Sequence, residues 1–159
     1  MAVNIYTLPY YTCLAPDVPG EACRLLTRLA REEVNLLAFN AVPAGPGRTQ
    51  LIIYPLNAVW LGDVVRQEKL ELHGPYYAFI VHGDDELGAL VDLHRKLSEA
   101  GINVENSTGL ADGRGGYRYI LHVRQEDFQR AADLLGASHQ ASPWDHVTLR
   151  VPRHFEATM

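Results

Sequence analysis

Cysteine is nearly absent from this chain: only Cys13 and Cys23 occur in 159 residues. Their spacing matches neither a zinc site nor a Cys-x-x-Cys redox pair, so neither a disulfide framework nor a cysteine-bound metal organises the fold. Both read as small buried hydrophobes in a reducing compartment. Long apolar runs are missing too. No stretch approaches the roughly 18 residues needed to span a bilayer. The N-terminus lacks a basic segment followed by an apolar one, as a signal peptide would show. The expectation is a cytoplasmic protein with no membrane partner. Dense Lys/Arg runs are also lacking, and the net charge is −5. Nucleic-acid binders present a basic stripe that replaces counterions on phosphates, so nucleic acid is not an expected partner.

What is present is an ordinary globular composition. Hydrophobic residues make up 47% and charged residues 21%, which excludes a largely disordered chain. Within it the chain repeats itself. Asp17-Val18-Pro19-Gly20 opens a helical pattern ending in Glu33-Val34-Asn35-Leu36. Asp85-Glu86-Leu87-Gly88 opens another ending in Gly101-Ile102-Asn103-Val104. The offset is 68 at Asp17/Asp85, Gly20/Gly88, Leu25/Leu93, Leu29/Leu97 and Asn35/Asn103. It persists at Gly45/Gly113, Gly47/Gly115 and Ile52/Ile120, and Trp60 lands on Phe128. A constant offset through a helix and a hairpin implies two copies of one unit. We therefore expect two small domains, residues 1–74 and 75–159. Domains of that size bury only about 60% of their chain surface and gain from packing on a partner.

The patterns predict β-α-β-β-α-β in each copy. In copy one, 3–14 is a strand rich in Ile, Tyr, Thr and Leu, broken or bulged near Pro9. A helix follows, with Asp17 as a candidate cap, Pro19 in its first turn and Ala22, Leu25, Leu26, Leu29 and Ala30 on one face. Strands follow at 34–42 and 49–54, joined by a Pro/Gly turn. A second helix over 55–67 presents Trp60, Leu61, Val64 and Val65. Leu70 and Leu72 suggest a half-exposed fourth strand. Copy two restarts with a strand at 76–82 and a helix over 85–99 that Gly101 stops. Strands at 102–110 and 117–123, a helix over 126–135 and a strand at 147–151 follow. Its extra length sits in a polar loop, 136–145, containing Pro143 and Trp144. Crossover rules place both helices of each copy on one face of an antiparallel sheet. The fold class is thus α+β, two tandem ferredoxin-like modules.

The two Asp-x-x-Gly…Asn segments resemble the ACT domain family, small βαββαβ modules that bind amino acids and regulate metabolic enzymes. The family pattern is an Asn/Asp, a variable residue, Pro-Gly, a Leu-rich helix, then Gly-[Ile/Val]-Asn-[Ile/Val]. Copy one departs at Glu33, where Gly is usual, and copy two at Leu87, where Pro is usual. The resemblance covers nearly the whole chain, without a catalytic domain. It implies an amino-acid-binding regulatory protein with no catalytic activity and no cofactor. By matching position its ligand would meet Asp17, Val18, Pro19, Gly20 and Asn35, or Asp85, Glu86, Leu87, Gly88 and Asn103. Copy one, which keeps Pro19-Gly20, is the favoured site.

These residue types suit a zwitterion. Its carboxylate needs N–H donors at a helix N-terminus, where the dipole helps. Its ammonium needs acceptors, which Asp17, Asp85 and the Asn amide oxygens supply. Each residue also has a bland reading. An Asp at a helix start caps it, an Asn before a strand satisfies a turn, and Gly20 and Gly88 serve close packing. Both readings stand on sequence alone. A homodimer is expected, because uncovered sheet faces and edges need partners; Tyr10, Tyr11, Tyr76 and Tyr77 are candidate interface residues. The resemblance extends to the small subunit of acetolactate synthase, so a regulatory subunit of an amino-acid biosynthetic enzyme is an alternative. A structural interaction module with lapsed sites is another.

Other chemistries fit less well. The seven histidines show no His-x-x-x-His or Glu-x-x-His spacing and read as scattered surface residues. Gly113-Arg114-Gly115-Gly116 lacks the Gly-Lys-[Ser/Thr] ending of a phosphate loop and reads as a hairpin turn. An RNA recognition motif shares the element order and displays aromatics on its third strand. Tyr117 and Tyr119 alternate there, but Thr49 and Leu51 replace them in copy one, so packing against another module is the reading adopted. An acylphosphatase needs an arginine in the first strand-helix loop, and 15–20 contains none.

Overall fold

The computed structural model describes residues 3–138. Its elements are β1 (Asn4–Pro16), α1 (Glu21–Arg31), β2 (Leu36–Pro43), β3 (Arg48–Pro55), α2 (Ala58–Gln67), β4 (His73–Asp84), α3 (Val91–Glu99), β5 (Val104–Ala111), β6 (Gly116–Val123) and α4 (Phe128–Leu135). A short 3-10 turn, Gln125–Asp127, leads into α4. The predicted strand at 147–151 and the loop residues Pro143 and Trp144 lie outside the described residues.

The chain divides into two compact units. The first comprises Tyr10–Pro75, and the second joins residues 3–9 to 76–138. The second half of β1 therefore belongs with α1, β2, β3 and α2, whereas 3–9 belong with the unit that follows. Residues 3–9 are held there by Ser138, whose N–H donates to Ile5 O at 2.9 Å and whose carbonyl accepts from Thr7 N–H at 3.2 Å.

In the first unit the antiparallel order is β2-β3-β1; in the second it is β4-β6-β5. The registers correspond. Tyr11 faces Ile53 and Pro16 faces Arg48 in one unit; Phe79 faces Leu121 and Asp84 faces Gly116, 68 residues on, in the other. Both outer pairs slip at the same place, between Leu36 and Ala38 and between Val104 and Asn106. Because side chains alternate along a strand, a shared register puts equivalent residues on the same face.

That face carries each core. In the first unit Tyr11, Leu29, Val34, Ile53, Leu61 and Val64 pack together. Phe79, Leu97, Ile102, Leu121, Ala131 and Ala132 do so in the second. Burial of such side chains contributes about 1.5–3 kcal/mol each. Tyr11 is 4% exposed and belongs to this core, so it is withdrawn from the interface candidates. Tyr117 and Tyr119 are also core residues of their own unit. Tyr117 lies over its cross-strand partner Gly83, and Tyr119 over Gly109. Covered rings cannot stack on bases, and they do not pack on another module as the sequence suggested. Cys13 is only half-buried and Cys23 is exposed on α1, which corrects their reading as core hydrophobes.

Helix boundaries differ from expectation where glycine sets them. Gly20 has φ 97° and Gly88 φ 78°, both left-handed, so no α-helix runs through either. Helix α1 starts at Glu21, after Pro19 rather than around it, and α3 starts only at Val91. Helix α2 starts at Ala58 because Asn57 caps it, its Oδ1 accepting from Trp60 N–H at 2.9 Å. Trp60 is not inward. Its ring is exposed and its indole N–H donates to Glu32 O at 2.9 Å. Leu70 and Leu72 point inward as their alternation implies, but the strand itself begins at His73.

All four described helices end in a left-handed residue: Glu33, Lys69, Gly101 and Gly136. After α1, Val34 N–H donates to Leu29 O at 2.9 Å and Glu33 N–H to Ala30 O at 3.1 Å. Ile102 to Leu97 and Gly101 to Ser98 repeat the pair after α3, at 2.9 and 3.0 Å. This is the Schellman arrangement, with its apolar contact made by Leu29 and Val34, or by Leu97 and Ile102. Glu33 bears a Cβ penalty of about 1 kcal/mol there, which Gly101 avoids. Glu33→Gly is expected to stabilise the protein by about 0.5–1 kcal/mol, read as a higher denaturant midpoint with an unchanged slope.

The histidines are not all surface residues. His122 is 7% exposed, and burial pushes its pKa down to about 4. His82 is lowered first by burial and then by the charge of Arg118. An unfolded histidine titrates near 6.5. Between about 4 and 6.5 the unfolded chain takes up a proton that folded His122 refuses. Stability is thus unaffected above that window and falls as pH drops through it, by up to ~3 kcal/mol. The urea midpoint should fall from pH 7 to about 5, and His122→Leu should flatten part of that fall. Equal slopes in both proteins would show that His122 ionises freely when folded.

Candidate functional site

Each strand-helix loop is anchored from behind. Asp17 N–H donates to Gly47 O at 2.9 Å, and Asp85 N–H to Gly115 O at 2.8 Å. These bonds tie the loop to the facing hairpin, whose glycines are left-handed in both units. Asp17 does not cap α1. Its Oδ1 accepts from Thr49 Oγ1 at 3.1 Å, four residues before the helix starts. The cap position is Gly20, with no side-chain hydrogen bond, and Leu90 stands equally uncapped at α3. The first-turn amides of both helices therefore lack the usual side-chain acceptor. Before α3 a tight turn intervenes, with Ala89 N–H donating to Glu86 O at 3.1 Å and Val91 N–H to Gly88 O at 2.9 Å.

The two asparagines are used differently. Asn35 Oδ1 accepts from Leu36 N–H at 2.8 Å, and its carbonyl accepts from Leu56 N–H at 2.8 Å. This fastens the start of β2 to the end of β3. Asn103 is exposed and lines a recess of about 490 Å³ with His94, Ser98 and Ser107. Beside it, His94 Nε2 and the Tyr119 hydroxyl are 2.7 Å apart.

A further concavity lies in the second unit. A cleft of about 530 Å³ is bordered by Glu86, Leu87, Gly88 and Ala89, by Asp92 and Lys96 on α3, and by Val3 and Ile5. Three of the predicted residues, Glu86, Leu87 and Gly88, thus meet on one surface. Asp85 and Asn103 are not among its walls. Leu87 is fully exposed at the rim. Asp92 pairs with Arg95 at 2.7 Å, which leaves Glu86 and Lys96 as the opposite charges facing the space. The sequence patterns did not single out Lys96, though it falls one turn after Asp92 on the helix face next to the loop.

The corresponding cleft of the first unit is about 330 Å³ and includes Arg24, Leu25 and Arg28, which stand 68 residues before Asp92, Leu93 and Lys96. Its walls include none of Asp17, Val18, Pro19, Gly20 or Asn35. The copy favoured on sequence therefore does not line this particular cleft with its predicted residues. Among the described residues no group of three His, Cys, Asp or Glu side chains is placed to hold a metal. No described helix is long and apolar enough to cross a membrane.

No family model matches this sequence, and no curated protein matches it. Solved structures do. Protein BT0572 from Bacteroides thetaiotaomicron is 15% identical with a TM-score of 0.66, covering 84% of this chain and 89% of its own. The ligand-free regulatory subunit of aspartate kinase from Thermus thermophilus is 15% identical with a TM-score of 0.58, covering 86% and 96%. That from Thermus flavus is 15% identical with a TM-score of 0.55, covering 85% and 94%. At this identity the likeness is one of fold, and it extends over nearly the full length of both partners.

The close-packing reading of Gly20 fails on geometry. A Cβ there would meet nothing within 4 Å, and one at Gly88 only Val91 Cγ2 at 3.6 Å. Backbone conformation alone requires these glycines. Gly20→Asn should therefore cost less than Gly20→Ala, since Asn tolerates left-handed backbone better than Ala. Thermal unfolding of both variants tests this; close packing would rank the larger Asn as worse.

Proposed function

We propose that this chain is a tandem pair of ACT-like modules that binds a small amino acid and regulates a metabolic enzyme without catalysing a reaction itself. The observation that carries the proposal is the 530 Å³ cleft at the approach to α3. Its volume lies within the usual range for small-molecule sites. Glu86 offers a carboxylate to the ligand ammonium, Lys96 an ammonium to the ligand carboxylate, and Leu87 apolar surface to its side chain. Gly88 leaves the backbone open to close approach. Of the ten residues the family resemblance singled out, Glu86, Leu87 and Gly88 carry the reading.

The fold likeness to aspartate kinase regulatory subunits supports a regulatory role and favours a partner enzyme of amino-acid metabolism. Ligand and enzyme would then be coupled reciprocally, each changing the affinity for the other. The proposed assembly is a homodimer, with Tyr76 and Tyr77, each partly exposed, as candidate contact residues.

Charge-assisted hydrogen bonds contribute about 1.5–3 kcal/mol each, so two or three support micromolar to millimolar binding. A thermal-unfolding screen of the full chain against the twenty amino acids should yield a hit. At about 100 Kd a ligand adds ~2.7 kcal/mol of stability, a shift of several degrees. Glu86→Gln and Lys96→Met should each weaken the hit tenfold or more, while Asn35→Ala and Asn103→Ala leave it unchanged. A hit lost in the Asn variants but kept in Lys96→Met would move the site to the family positions. No shift with any amino acid would leave the lapsed structural module as the reading.

A further inference from the structure

The cleft of the first unit is built on the same helix positions as the cleft beside α3, yet its charge differs. Helix positions Arg24, Leu25 and Arg28 match Asp92, Leu93 and Lys96, and both trios border their clefts. The Asp92 position has become arginine. Lys69 adds a third cation from the segment that follows α2. The anions present are Glu21 and Glu71. Glu21 is held by Arg24 at 3.0 Å. Three cations against two carboxylates leave this space net positive, whereas in the other, with Asp92 paired to Arg95, Glu86 and Lys96 balance.

Two further features bear on a bound anion. Arg24 and Arg28 are four residues apart on one helix and both border the cleft, with one nitrogen of Arg28 donating to Glu68 O at 3.4 Å. Lys69 holds a left-handed backbone, φ 50°, at the end of α2. The equivalent end of α4 uses Gly136. A side chain is thus retained where glycine would be less strained, and it borders the cleft. Leu25 and Leu51 supply apolar wall between the cations. We infer that the cleft between β1, α1 and the segment after α2 is a second ligand site, selective for a small dicarboxylate. One carboxylate is met by the arginine pair on α1 and the other by Lys69, with the short carbon spacer against the leucines. This site lies outside the one proposed above and does not depend on its occupancy.

Cys13 reports on the site directly. Its half-buried thiol borders the cleft, and its pKa is raised first by burial and then by the Glu71 carboxylate. A dianion seated there blocks access to the sulfur and disfavours the thiolate that reacts. The experiment uses the full chain with Cys23→Ser, leaving Cys13 as the sole thiol. The labelling rate with a disulfide reagent is followed at about pH 8 against succinate, phosphate and sodium chloride at equal ionic strength. Succinate is expected to slow labelling at least fivefold and saturably, phosphate and chloride much less. Arg24→Asp, which installs the residue of the other unit, should weaken protection tenfold or more, and Lys69→Met similarly. Far-UV circular dichroism and unchanged thermal unfolding of these surface variants verify their folding. Asp92→Ala in the other cleft should leave protection unchanged, which separates this result from the amino-acid screen. Equal protection by phosphate, meaning an adventitious ion only, overturns the proposal, as does full protection in Arg24→Asp.

Discussion

The architecture depends on how each helix turns back into the sheet. A left-handed residue two places past the helix, followed by a buried aliphatic, closes α1 and α3 in the same way. The closure fixes which residue first enters β2 or β5. From there the register against β3 or β6 follows, and with it the face every later side chain takes. Leu29 with Val34, and Leu97 with Ile102, make this reversal part of the core rather than a surface loop. One backbone device therefore aligns helix, strand and core, and it does so at matching positions in both units.

Much of this was legible in the sequence because it is periodic. The 68-residue offset, the apolar helix faces and the glycine-marked hairpins all carried through to the hydrogen-bond register. What escaped prediction was non-periodic. Glu33 and Lys69 close helices in a conformation that sequence reading assigns to glycine. Asp17 looks like a cap by type, but the left-handed Gly20 moves the helix start beyond its reach. Asn57, a true cap, was hidden by the preceding proline, which looks like a helix start itself. Tyr117 and Tyr119 alternate like a displayed pair, and only the glycines opposite them reveal that the rings are covered. The assignment of residues 3–9 to the later unit left no local signal, since a strand's neighbours are chosen by tertiary pairing.

For the candidate sites, legibility was partial for a similar reason. The family-like positions fall on loops, and a loop residue's role depends on the concavity beside it. Glu86, Leu87 and Gly88 border such a space, whereas Asp17 and Asn35 are engaged by Thr49 and Leu36. Residues on the helix face next to the loop, Lys96 and Arg28, complete the clefts in a way no spacing rule announced. The two units keep matching packing residues while their clefts differ in charge, because Leu25 and Leu93 are both apolar whereas their neighbours Arg24 and Asp92 are opposite in sign.

The division of β1 has a consequence for how the molecule is made. On a ribosome, Tyr10–Pro75 emerges before residues 76–138. Residues 3–9 emerge earlier still, but Ser138, which binds them, is translated last among the described residues. The leading segment must wait for that contact while Tyr10–Pro75 emerges behind it. A bulky fusion placed ahead of Val3 would therefore press on contacts made with Ser138, far along the chain, rather than on those of its nearer sequence neighbours.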